Sequence, residues 1–230
     1  TDIMALIQNE IFPEIQAQFP TVKALYEGQN REAGKFISSA KIVFPVVIIL
    51  IYIVIAFVFR SYSQPLLLLL LVPFSLIAVA WGHWIHGFAI NILSLLGIIA
   101  LIGIMVNDGL VLISKFNGNL KSGLSFDDAL FQASKSRFRA IFLTSLTTIA
   151  GLAPLIFETS RQAQFLIPMA ISIAYGIGFA TVLTLLVLPI YLSFINSIKV
   201  TGTWLRSGEW VPAESLERAV KELKHEEDEV

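Results

Sequence analysis

The sequence contains no cysteine. Disulfides, thiol catalysis and thiolate metal sites are therefore excluded. Charge is also scarce. Asp, Glu, Lys and Arg make up 14% of the chain, against about a quarter in soluble domains. The formal net charge is −1, so nothing points to a nucleic-acid partner. The first apolar stretch begins only after Lys41, so the opening residues do not read as a secretory leader.

Apolar residues are abundant. They make up 56% of the chain, and the mean hydropathy is +0.76. They gather in five segments, Ile42–Phe59, Pro65–Ile85, Ile90–Ile113, Ala140–Phe157 and Phe165–Ile195. Crossing ~30 Å of hydrocarbon takes about 20 helical residues, and each segment approaches or exceeds that. Backbone polar groups in lipid must bond within their own segment, which makes these segments helices. The last is too long for one perpendicular span. It is either tilted or opens with an interfacial turn before Pro168. The expected fold is an all-α membrane protein: a bundle of five transmembrane helices at 37–198, a short extracytoplasmic segment at 1–36 and a cytoplasmic tail at 199–230.

Basic residues set the expected orientation. Arg60 follows the first segment. Lys115, Lys121, Lys135, Arg137 and Arg139 lie between the third and fourth, and Lys199 and Arg206 follow the fifth. The alternate links hold only Arg161. The positive-inside rule then places the C-terminus in the cytoplasm and the N-terminus outside. An odd number of spans with an external start needs an upstream segment to translocate it, and the chain opens with Thr1. The expectation is the C-terminal piece of a longer membrane protein.

The links carry patterns of their own. Ile3, Leu6, Ile7 and Ile11 lie at helical spacing, which suggests an amphipathic helix that Pro13 ends or kinks. Ser125 and Asp128 fit a weak capping box, and Ala129, Leu130 and Ala133 follow at helical spacing, so a short cytoplasmic surface helix is expected there. Trp204 and Trp210 are placed to anchor at a membrane interface. Leu216, Val220 and Leu223 form a thin apolar stripe in a charged helix from Pro212, and HEEDEV ends the chain as a solvated tail.

The segment GIMVNDGLVLISK, residues 103–115, places a carboxylic acid inside an apolar span. An ionised carboxylate at mid-membrane costs about 2.5–3.5 kcal/mol. Asp108 is tolerable there if protonated, paired or facing water, and such a group suits proton loading and release. On a helical wheel it shares a face with Ser94, Gly97, Leu101, Ile104 and Leu112. Asn107 shares one with Ala100 and Gly103. Small residues on both faces predict close packing on both sides. The alternative is that Asn107 and Asp108 are interhelical hydrogen-bond glue or are hydrated near the span's end.

In the fourth segment Arg137 and Thr144 are two helical turns apart, with Thr148 one turn further. A cation and hydroxyls on one face could stabilise and relay charge opposite Asp108. The plainer readings are a snorkelling boundary arginine and hydroxyls bonded to their own helix. His83 and His86 form H-x-x-H, but no third metal ligand is apparent and a hydrated loop accounts for them. Ala170, Ala174, Gly176, Gly178 and Ala180 form a small-residue packing face.

With these residues in view, the chain resembles the C-terminal membrane portion of a resistance-nodulation-division (RND) efflux pump of the AcrB type. The likeness runs from Tyr26-Glu-Gly-Gln to Tyr191-Leu-Ser-Phe194. FRSYSQPLLLLLLVPFSLI, GIMVNDGLVLISKFN and SRFRAIFLTSLTTIAGLAPL carry it. The resemblance implies spans eight to twelve of twelve, with residues 1–36 closing a periplasmic porter region. It implies proton exchange for an exported small molecule held mainly by other, periplasmic regions. It further implies a homotrimer and partnership with the N-terminal half, a periplasmic adaptor and an outer-membrane channel. Arg137 and Thr144 match an Arg and a Thr of the family's relay. Asn107 stands where the family has a Lys, and Asp108 follows it. The relay set expected here is thus Asp108, Asn107, Arg137, Thr144 and Thr148. No cofactor is implied.

Two other classes remain. One is a non-transporting helix-packing or sensor module. The other is an intramembrane enzyme, disfavoured because no Ser/His pair, paired-Asp motif or H-E-x-x-H lies within the spans.

Overall fold

In a computed structural model, residues 6–19, 29–208, 210–221 and 223 are described. Ile3, the start of the resemblance at 26–28 and the acidic end at 225–230 lie outside them. The chain divides into two compact units, 1–45 and 46–230.

In the first unit a π-helical turn, Ile7–Ile11, runs directly into α1, Phe12–Gln18. Pro13 therefore does not end the helix. The wider turn shifts the hydrogen-bond register, and the Phe12 N–H reaches the Ile7 carbonyl. Proline then falls in the first turn of a new α segment, where no donor is needed. Leu6, Ile7 and Ile11 are exposed.

The remaining helices are α2 (Gln29–Phe59), α3 (Ser63–His86), α4 (Ile92–Lys121), α5 (Phe126–Ile156), α6 (Arg161–Gln164), α7 (Ile167–Val182) and α8 (Leu188–Ser207). Five stretches are long and apolar enough to cross a membrane: Lys41–Phe59, Ser63–His86, Ile92–Lys121, Phe126–Ile156 and Ile167–Ser207. The five-span, all-helical expectation holds. From Val46 onward α2 keeps Ile49, Ile53 and Phe57 exposed, as a helix facing lipid does.

The breaks follow local chemistry. Gly87 closes α3 with φ 70°, a conformation that costs side-chain-bearing residues energy. Asn91 opens α4 through a reciprocal capping box with Ser94. Ser125 caps α5 by accepting from the Asp128 N–H at 3.3 Å.

One expectation is corrected here. The separate surface helix after Ser125 does not exist as such. α5 runs unbroken from Phe126 to Ile156, and α4 extends to Lys121. The long link therefore shrinks to 122–125. The reason lies in the sequence, since nothing between Phe126 and Ala140 is glycine or proline and the cap at Ser125 starts a helix that nothing stops.

α7 is the centre of the second unit and packs on α3, α4 and α5. Glycine permits the close approach. A Cβ at Gly97 would lie 2.7 Å from the Met169 carbonyl oxygen, and one at Gly176 would strike the Leu101 side chain. The small-residue face is buried at Ala170, Ala174 and Ala180. Ile156, Ile167 and Ile171 fill the core beside it.

A turn between α6 and Ile167 precedes Pro168, as the second reading of the long segment requires. A π-helical turn at Leu183–Val187 then precedes Pro189, repeating the device seen at Pro13. The helical stretch Ile167–Ser207 has 41 residues. At 1.5 Å per residue that is about 60 Å, roughly twice the hydrocarbon thickness. Its final turns therefore extend past the bilayer core.

The tail also differs from expectation. It begins as a 3-10 turn, Ala213–Leu216, and its most buried residues are Glu217 and Ala219. Leu216, Val220 and Leu223 are half-buried. A salt bridge explains the register: the Glu217 carboxylate meets Lys199 Nζ at 2.9 Å, folding the tail back onto α8.

Candidate functional site

α4 carries Asp108 on its bundle-facing side, and the residue is 7% exposed. Leu101 and Leu112, one face with it, are fully buried. The first charged residue beyond it is Lys115, about 10 Å further along the helix. No hydrogen bond or ion pair joins the Asp108 carboxyl to any described residue. The glue reading needs such a bond, and among the described residues there is none.

The neighbouring face differs. Asn107, Ala100 and Gly103 are exposed, and a Cβ at Gly103 would meet nothing within 4 Å. Close packing was expected on both sides of Asp108. It occurs on the Gly97 side against α7 and at Gly109, where a Cβ would strike the Leu68 side chain of α3, and not on the Gly103 side.

α5 packs beside α4 and supplies the other predicted residues. Arg137 is half-buried, and its Nε is enclosed without an acceptor among the described residues. The Thr144 hydroxyl donates to the Ala140 carbonyl at 2.9 Å. The Thr148 hydroxyl donates to the Thr144 carbonyl at 2.8 Å. Both threonines thus make the ordinary helix back-bond. The helices stand side by side, but apart from that Thr148–Thr144 back-bond no side-chain hydrogen bond or ion pair links Asp108, Asn107, Arg137, Thr144 and Thr148 to one another. The Asp108 carboxyl and the Arg137 Nε remain unmatched among the described residues. Each is costly in low dielectric unless another group or a proton meets it.

Sequence reasoning missed several polar ties. The Thr181 hydroxyl donates to Ser145 Oγ at 2.5 Å, joining α7 to α5. Gln64 and Asn117 exchange amide hydrogen bonds at 3.1 and 3.2 Å, fixing α3 to α4. The histidines are not in a hydrated loop. His83 is 3% exposed, with Nδ1 3.0 Å from the Val79 carbonyl and Nε2 2.8 Å from Ser94 Oγ. His86 Nε2 lies 3.0 Å from the Tyr175 hydroxyl. The turn at Gly87 begins one residue later than the loop reading needs, so both rings stay on α3. The only usable signal was the capping box at Asn91, which fixes where Ser94 points.

Five apolar helices with a buried acid inside one of them define a multi-pass membrane protein. Residues 5–196 match the AcrB/AcrD/AcrF family, and the chain belongs to it, among the RND efflux transporters. It is 32% identical over 150 residues to the cobalt-zinc-cadmium resistance protein CzcA of Cupriavidus metallidurans, covering 65% of this chain and 14% of that protein. It is 30% identical over 184 residues to the multidrug resistance protein MdtC of Pectobacterium atrosepticum, covering 78% of this chain and 18% of that protein. Its fold matches that of a heavy metal efflux pump solved by X-ray crystallography, with a TM-score of 0.67 and 22% identity, over 84% of this chain and 19% of that one. The chain spans less than a fifth of the length of these relatives.

Proposed function

We propose that the chain forms the C-terminal membrane portion of a proton-coupled RND efflux transporter, and that Asp108 takes up and releases the coupling proton. One observation carries this reading: a family member holds a carboxyl within a span, almost wholly buried and bonded to no described residue. Intramembrane acids of this kind mark ion pathways. Arg137 biases the charge of the acid, and the Asn107–Thr144–Thr148 side accepts the opposing helices of the full transporter. Residues 1–36 end an extracytoplasmic region, 37–198 form the five spans, and 199–230 lie in the cytoplasm. The protein sits in the bacterial inner membrane as a homotrimer. It works with a periplasmic adaptor and an outer-membrane channel and exports a small molecule or metal cation bound elsewhere. The relatives' names span metal ions and drugs, which suits a cargo chosen outside this membrane portion.

Reconstitution of the full-length transporter tests the reading. Substrate should drive proton movement across the liposome membrane. A helix-packing or sensor module would move no protons.

The orientation has its own test. Cysteines introduced singly at 121 and 87 of the otherwise cysteine-free chain should divide between the two faces. Position 87 should react with an impermeant maleimide in sealed cells and position 121 only after permeabilisation. Labelling of position 121 from outside would reverse the orientation.

A further inference from the structure

No charged residue lies between Arg161 and Lys199, so Lys199 marks where the last span leaves the bilayer core. Apolar surface nevertheless continues past it. Phe194, Ile198 and Leu205 are exposed along one side of α8, at spacings that share a helix face. With Thr201 they line an open groove of about 340 Å³. Trp204, next in sequence to Leu205, packs on Trp210 with ring centroids 5.7 Å apart.

A second cleft, of about 430 Å³, lies where the tail folds back on α8 and is lined by Lys199, Thr203, Arg206 and Lys221. Glu217 neutralises Lys199 and holds it in place at 2.9 Å. Arg206 and Lys221 pair with no described residue, which leaves an excess of positive charge. Gly202 lines both clefts. A Cβ there would meet nothing within 4 Å, so no side chain stands between the two at this position.

A cationic cleft and an apolar groove that meet at one glycine, at a bilayer boundary, match one kind of molecule. The molecule has a phosphate at one end and a hydrocarbon chain at the other. We infer that the end of the last span seats an anionic phospholipid. Its phosphate lies among Lys199, Arg206 and Lys221, and an acyl chain lies along Phe194, Ile198 and Leu205, the two parts crossing over Gly202. The seat is independent of the transport cycle proposed above.

Tryptophan quenching tests it. The full 230-residue chain, with Trp81→Phe and Trp84→Phe so that only Trp204 and Trp210 report, is placed in phosphatidylcholine nanodiscs. Phosphatidylglycerol or phosphatidylcholine brominated on its acyl chains is added at equal mole fraction. The brominated phosphatidylglycerol should quench as though enriched about tenfold at the site. Arg206→Gln with Lys221→Gln should remove the preference, and Arg206→Lys with Lys221→Arg should keep it. Gly202→Leu should weaken quenching by blocking the crossing. Equal quenching by the two lipids, or a preference that survives the glutamine pair, would overturn the seat. A preference indifferent to Gly202→Leu would reduce it to diffuse charge attraction and also overturn it. Displacement of the lipid by inorganic phosphate at comparable concentration would make it a simple anion site instead.

Discussion

Asp108→Asn in the full-length transporter is expected to preserve expression and folding and to lower proton-coupled efflux by about 100-fold or more, the scale of losing a positioned proton-transfer group. Asparagine keeps the size and hydrogen-bonding ability of aspartate but cannot exchange a proton. The site makes the substitution structurally mild, because Asp108 bonds to no described residue and nothing is broken. Asp108→Ala should lose coupling as well, together with some packing beside Leu101 and Leu112. The measurement is efflux at matched membrane abundance over a range of external pH. The wild-type rate should depend on the imposed proton gradient, and the residual rate of the asparagine variant should not. Near-wild-type efflux by Asp108→Asn would return Asp108 to the role of packing glue.

The second large effect concerns the chain by itself. The 230 residues in liposomes should show no substrate-dependent proton flux, whereas the full-length transporter should show it. The physical reason is visible on α4 and α5. Asn107, Gly103 and Thr144 are exposed, and the enclosed Arg137 nitrogen has no acceptor among the described residues. A polar, small-residue face of this kind is poorly matched to lipid and well matched to other helices. A relay needs both sides of such a contact. Flux from the isolated chain would show that these five helices hold a complete pathway.

Much of the fold was legible from simple quantities. Segment lengths set against bilayer thickness gave five spans, because lipid leaves the backbone no alternative to helices. The small residues of α7 announced a packing face, since only glycine and alanine admit neighbours so closely. Helix ends were less legible. The fourth span reads as starting at Ala140, where apolar residues begin, yet α5 starts at Phe126. Hydropathy marks the membrane and says nothing about where hydrogen bonding stops. The two prolines met by π-helical turns mislead for a related reason. A register shift of one residue removes the penalty that proline is expected to exact.

The candidate site was legible by type and less so by geometry. An acid in an apolar run stands out at once, and Asp108 is buried as that signal implies. Which face of α4 would be covered could not be read from the wheel, because Gly97 and Gly103 look alike in sequence. Gly97 meets α7 and Gly103 meets open space. Thr144 and Thr148 carried two readings. Their bonds to their own helix leave each oxygen's lone pairs as the means of contact with an added partner. The buried ties Ser145–Thr181 and His83–Ser94 were invisible because each needs two helices to be in register, and no periodicity in one segment reports on another.

In the mechanism proposed here the Asp108 carboxyl changes protonation as the transporter works. Infrared difference spectroscopy of the full-length transporter reads this directly. Spectra of the wild type and of Asp108→Asn are taken across a pH titration, with and without substrate. A carboxylic-acid carbonyl band should titrate in the wild type, shift when substrate is added and be absent from the asparagine variant. Identical titrating bands in the two proteins would contradict it.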